Sequence, residues 1–265
     1  MMKLFRKAFA VLAALVLLSA PCRADTVTLQ KTSSWYCTHT TGGKQPSLPV
    51  EFPFLEDNGG YFLDHEHKTM DDEKVIYLTF DAGYENGNIE KILDVLKEEE
   101  VTGAFFILAN LAHQNPDLVK RMAAEGHLVC NHTASHKDMS RVTDSEAFRE
   151  ELEKMERICV EETGVTMAKY YRPPEGRFTE QNLKDAEAIG YKTILWSFAY
   201  ADWDNKHQMS ADAAIKKLTA GLHNGEVLLL HPTSETNAAI LGGLIKTWKE
   251  QGFRFGTLDE LTRHS

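Results

Sequence analysis

Five polar residues, Asp81, His132, Arg172, Asp202 and His231, each stand at or shortly after the carboxyl end of a short apolar run. A carboxylate that can take a proton, imidazoles that can carry one or hold a metal, and a guanidinium that can pair with a carboxylate are the groups of acid–base and metal chemistry. Taken singly, each also suits a turn or a helix cap. Their joint placement is what points to a site. Asp81 lies in "YLTFDAGYENGNIEKIL", residues 77–93, where a buried strand gives way to a glycine-rich turn and a helix with Ile89, Ile92, Leu93 and Leu96 at helical spacing. In "NHTASH", His132 and His136 are four apart, so on a helical turn their imidazoles share a face and can grip one metal ion. Two solvated histidines give the same spacing. For Arg172 and Asp202 the alternative is an ion pair bracing the mouth of the fold.

The elements that must position these residues alternate from Asp71 onward. Strands are expected over 75–80, 103–108, 127–131, 168–172, 192–198, 226–230 and 253–258, with helical segments between them, one opened by Pro116 and several closed by glycine. The pattern predicts an α/β fold, a distorted parallel (β/α) barrel of about seven strands, with a doubly wound open sheet as the other architecture. In either, the carboxyl ends of the strands converge, so all five side chains would meet in one pocket.

The flanks carry other information. Lys3, Arg6 and Lys7 precede an apolar run from Ala8 to Ala20, followed by "CRAD". Residues 1–24 therefore read as a secretory signal peptide cut after Ala24, since the run falls short of the ~20 residues of a spanning helix. Cleavage removes Lys3, Arg6, Lys7 and Arg23 and no acid, taking the formal charge from -10 to -14. Such a chain is expected to be exported, without stable membrane insertion, and to bind no nucleic acid. Residues 25–70 read as an irregular N-terminal extension packed on the outside of the domain, and 71–265 as the catalytic domain. Cys37, Cys130 and Cys159 show no CxxC spacing, hence no disulfide framework and no zinc ribbon.

With these residues in place the chain resembles the polysaccharide deacetylases that share the NodB homology domain. The matching motifs are "TFDAG", "HTASH", "RPPEG", "DW" and "LLLH", in the family's order, over roughly residues 71–260. The fuller stretches "YLTFDAGYENGN", "KYYRPPEGRF", "WSFAYADW" and "LLLHPTSETNAAIL" are similar to the sporulation-associated peptidoglycan N-acetylmuramic acid deacetylases, the delta-lactam-biosynthetic branch.

The resemblance implies N-deacetylation of peptidoglycan glycan strands, with Asp81 as general base and His231 as general acid. It also implies a divalent metal, zinc first, on His132 and His136. Arg172 would orient Asp81, and Asp202 would hold Arg172 or tune His231. The backbone N–H of Glu175 would bind the oxyanion, although most members have an aromatic at that position. Tyr84 and Trp203 offer faces on which a sugar ring stacks, with core packing as the other reading of Trp203. One position departs from the pattern. Most members carry a second Asp where Ala82 stands, and the muramic acid branch usually has Asn. Alanine is no ligand, so the metal is expected to be weakly held. Rival readings are a deacetylase of chitin-like or N-acetylglucosamine glycans and a non-catalytic glycan-binding protein.

Overall fold

In the computed structural model, which describes residues 31–263, nine strands form one sheet whose strand pairs are all parallel. Residues 1–24, expected to be a signal peptide, lie outside the described residues. In chain order the strands are β1 (Gly60–Tyr61), β2 (Lys74–Ala82), β3 (Ala104–Ile107), β4 (Leu128–Asn131) and β5 (Tyr170–Tyr171). They continue as β6 (Lys192–Ile194), β7 (Phe198–Ala199), β8 (Glu226–Leu230) and β9 (Phe253–Phe255). Side by side the order is β1, β6, β5, β4, β3, β2, β8, β7, with β9 paired to the start of β2.

β6 and β7 sit near opposite margins of that order, yet only Leu195, Trp196 and Ser197 separate them in the chain. The expected strand 192–198 is thus one bent strand whose first half joins β5 and whose second half joins β8. Leu195 N–H donates to Tyr61 O and Ser197 N–H to Val227 O, so the sheet curls round into a distorted barrel. This is the expected architecture. Some lengths differ: the strand expected over 168–172 is reduced to β5, because Pro173 cannot donate to a ladder. The run 253–258 stops at Phe255, since Thr257 caps a short helix, Leu258–Leu261.

β2 shows how the sequence builds both layers. Its even residues Ile76, Leu78, Phe80 and Ala82 join the cluster under the helices, with Ile89, Ile92, Leu93 and Leu96 of the helix Ile89–Glu98 and Leu241, Leu244 and Ile245 of the helix Glu235–Glu250. Burial of each such side chain contributes about 1.5–3 kcal/mol. Its odd residues Val75 and Tyr77 fill the barrel with Ala104, Phe106, Cys130 and Val227, and that inward row continues through Thr79 to Asp81. The inner row turns polar only where it reaches the mouth. Asp81 is the last inward position, which is why an acid follows an apolar strand.

The N-terminal stretch is more than a layer on the outside. β1 belongs to the barrel sheet, Asp64 accepts a 2.6 Å hydrogen bond from Tyr77 Oη inside it, and Trp35, Phe52, Leu55 and Phe62 are buried together. The apolar residues scattered between Trp35 and Leu63 have no period because they fill a gap of irregular shape. The three cysteines among the described residues are free, and no helix among those residues is long and apolar enough to cross a membrane.

Candidate active site

A cleft of about 930 Å³ opens at the carboxyl ends of the strands, and Asp81, His132, His136 and His231 all line it. Arg172 lies below its floor. It is fully buried, with Nη1 donating to Asp81 Oδ1 at 2.8 Å, Nε to Ile194 O at 3.0 Å and Nη2 to Thr79 Oγ1 at 2.9 Å. Its guanidinium lies 4.2 Å from the Phe106 ring centroid. Arg172 therefore fixes the rotamer of Asp81, and no ion pair joins it to Asp202. Removing one partner of such a buried pair costs about 3–5 kcal/mol, because the other charge is left unanswered.

Burial pushes the Asp81 carboxyl up, but its electrostatic interactions with His132, Arg172 and His231, together with the Arg172 hydrogen bond, hold it below its ordinary value. His132 itself is drawn down to about 4, chiefly by burial, so it is neutral at pH 7. Arg172 is then the permanent cation that keeps Asp81 ionised.

The two histidines share no helical turn. They follow β4 in a loop where Thr133 and His136 have left-handed backbones, φ 73° and 56°. A β-branched residue is strained there by about 1–3 kcal/mol. The loop is held in place by Asn131 Oδ1, which accepts from Thr133 N–H at 2.9 Å, by Thr133 Oγ1, which accepts from His136 N–H at 2.9 Å, and by Glu151, which accepts from Ser135 N–H at 3.0 Å. The imidazoles still meet, edge to face, with centroids 5.1 Å apart. His132 Nδ1 bonds Arg172 O at 2.9 Å, leaving the Nε2 lone pair toward Asp81 Oδ2, 3.6 Å away.

These residues fit a divalent cation only as a two-imidazole seat. Among the described residues no three His, Cys, Asp or Glu side chains form a group that could hold a metal ion. Ala82 is fully buried in the cluster beneath the helices and is not among the cleft-lining residues. A catalytic zinc centre has three protein ligands and one open position, so a cation here depends on water or substrate for more of its shell.

Across the mouth, His231 follows β8. Its Nδ1 donates to Asp202 Oδ1 at 2.7 Å, and its backbone N–H donates to Asp202 Oδ2 at 2.8 Å. Asp202 thus holds His231, not Arg172. Burial pulls the imidazole down, but the Asp202 hydrogen bond and charge, with help from Asp81, outweigh it and place its pKa above the usual 6.5. The shift favours the imidazolium, the form in which Nε2 also carries a proton that it can give up. A carboxylate biased toward its anion and an imidazole biased toward its cation therefore line one cleft.

Sequence reasoning passed over the supports of this pair. Asn237 Nδ2 donates to Asp202 Oδ2 at 2.6 Å from the first turn of the helix Glu235–Glu250, and Thr79 accepts from Arg172. The signal for Asn237 was its position inside "LLLHPTSETNAAIL", three residues after the Ser234 cap. Glu175 lines the cleft in a left-handed turn, φ 56°, with Gly176 at φ 63° directly after. A Cβ at Gly176 would lie 2.9 Å from Trp196, so this tight turn excludes a side chain there. Trp203 is 63% exposed and Tyr84 47% exposed, both on the cleft, which removes the core-packing reading of Trp203.

Residues 68–194 match the family model described as "Polysaccharide deacetylase". The chain is 40% identical over 189 residues to the Bacillus subtilis peptidoglycan-N-acetylmuramic acid deacetylase PdaA, covering 71% of this chain and 72% of that protein. It is 36% identical over 191 residues to the Listeria monocytogenes peptidoglycan-N-acetylglucosamine deacetylase PgdA, covering 71% of this chain and 39% of that one. The solved structure of Bacillus subtilis PdaA, a family 4 carbohydrate esterase, superimposes with a TM-score of 0.81 at 34% identity, over 87% of this chain and 97% of that one.

Proposed function

Because the chain belongs to the polysaccharide deacetylase family and is a hydrolase of N-acetyl amide bonds, we propose that it removes the acetyl group from N-acetylmuramic acid in peptidoglycan. The setting proposed is the formation of delta-lactam in the spore cortex, by an exported protein. One observation carries the reading: Asp81 bonded to Arg172 and His231 bonded to Asp202, each biased toward its charged form by that partner, line the same cleft. A protein that only bound glycan would have no use for a base and an acid so tuned. The muramic acid assignment leans on PdaA and on the fuller motif stretches; PgdA supports the rival glucosamine substrate.

In this scheme Asp81 Oδ2, the oxygen not bonded to Arg172 Nη1, takes a proton from the water that attacks the acetyl carbon. His231 Nε2 then protonates the departing nitrogen, while Nδ1 stays on Asp202. The products are acetate and a free amine. The backbone N–H of Glu175 would meet the oxyanion, and Tyr84 and Trp203 would carry the sugar ring. A divalent cation, zinc first, would sit weakly on His132 and His136; when bound, it would polarise the acetyl carbonyl.

Acetate release from purified muramoyl glycan tests the function. We expect release that falls on chelation and returns with zinc, cobalt, manganese or magnesium. Release indifferent to chelator would remove the cation from the scheme, and no release under any condition would leave only glycan binding. Release from N-acetylglucosamine oligomers alone would transfer the assignment to the rival substrate.

The role of Asp202 has its own signature. Asp202→Asn deletes the charge that raises the pKa of His231, so the alkaline limb of kcat/KM should move to lower pH. An unmoved limb would mean that His231 is not the group titrating there.

A further inference from the structure

Part of the cleft lining is left unused by this chemistry. Cys37, His39 and Lys217 belong to it, beside Ala199 of β7. The His39 ring stacks on Phe198, centroids 4.6 Å apart and planes at 23°. Lys217 comes from the helix Ala211–Gly221, and Gly221 packs so closely on the same Phe198 that an added Cβ would lie 1.9 Å from its ring. Lys217 precedes Gly221 by four residues, which places both on one side of that helix.

Among the described residues Lys217 is the one Lys or Arg lining the cleft; it is half-buried and makes no hydrogen bond or ion pair. The carboxylates on the same lining are already engaged, Asp81 with Arg172 at 2.8 Å and Glu175 with Arg177 at 3.7 Å. Burial drives buried Glu226, which also acts on Cys37, toward its neutral form, so it does not balance the ammonium. A chain with 39 acidic and 29 basic side chains thus leaves one cation unanswered in the wall of its cleft. An ammonium partly stripped of water gains most from a charged acceptor.

We infer that Lys217 receives a carboxylate borne on the substrate's own sugar ring, beside the acetamido group, and so sets specificity; this rests on the deacetylase reading above. Of the two peptidoglycan sugars, muramic acid free of its peptide stem bears a lactyl carboxylate on the carbon next to the acetamido carbon, where glucosamine has a hydroxyl. A cleft that seats the acetyl group between Asp81 and His231 and the carboxylate against Lys217 prefers the first sugar. With the second, the ammonium stays unpaired. Burial and Lys217 lower the pKa of His39, which favours its neutral form, and it lines the same cleft.

The test compares wild type with Lys217→Gln and Lys217→Arg on muramoyl glycan and on N-acetylglucosamine oligomers. In Lys217→Gln, KM for muramoyl glycan should rise roughly tenfold or more with kcat little changed, in line with loss of one charged hydrogen bond. The preference for muramoyl over glucosaminyl substrate should fall by the same factor, and Lys217→Arg should restore most of it. Equal losses on both substrates, or no change in KM, would overturn the inference. A binding arm reads Lys217 without turnover: wild type should bind N-acetylmuramic acid at least tenfold tighter than its lactyl carboxamide, and Lys217→Gln should not. Equal binding of the two by wild type refutes the carboxylate seat. Failure of wild type to release acetate from muramoyl glycan refutes the substrate assignment instead.

Discussion

Asp81→Asn is expected to lower kcat for acetate release by about 10²–10⁴-fold, the usual contribution of a positioned general base. Asparagine retains an oxygen for Arg172 Nη1 but can accept no proton from water, so KM should stay near the wild-type value. The substitution also leaves a fully buried guanidinium without its counter-charge, and a lower Tm belongs to the same prediction. Activity is therefore compared at a temperature where both proteins are folded. A variant within tenfold of wild type there would take the base role away from Asp81. The neutral His132 is no substitute, because its pKa of about 4 makes it a poor proton acceptor at pH 7.

His231→Asn should cost a similar 10²–10⁴-fold in kcat on the amide, and the loss should depend on the leaving group. An amine cannot depart as its anion, whereas 4-nitrophenolate leaves without a proton. The same variant should therefore lose far less activity on 4-nitrophenyl acetate than on muramoyl glycan. Equal losses on the two substrates would show that His231 positions the acyl group and does not donate. Asp202 bonds both the ring and the backbone of His231, so circular dichroism on the variant checks that the loop after β8 has kept its shape.

Some of this was legible because it is local. The inward row of β2, Val75, Tyr77, Thr79 and Asp81, follows from the two-residue period of a strand, and the apolar stripe on the helix Ile89–Glu98 from the helical one. Five strand ends carrying polar residues were readable as one mouth because parallel strands point the same way. The length of the strand near residue 170 was not, since its pairing ends at Pro173 and partners cannot be seen in one sequence. Nor was the loop holding His132 and His136, where bonds to Asn131 and Glu151 enforce left-handed residues that local propensity disfavours.

The sequence by itself determined the alternation of strands and helices, the residue types at the strand ends and the absence of a ligand at Ala82, because these depend on periodicity and on side-chain chemistry. The tertiary structure decided which group serves which: Arg172 to Asp81, Asp202 to His231, Asn237 behind Asp202. It also put β1 into the barrel, closed the sheet through the bend at 195–197 and brought Lys217 to the wall shared with Cys37 and His39. These arrangements bring together residues up to 180 positions apart, as with Lys217 and Cys37 on one cleft. Their geometry is fixed by the curl of the sheet and by packing, and neither leaves a periodic trace in the chain.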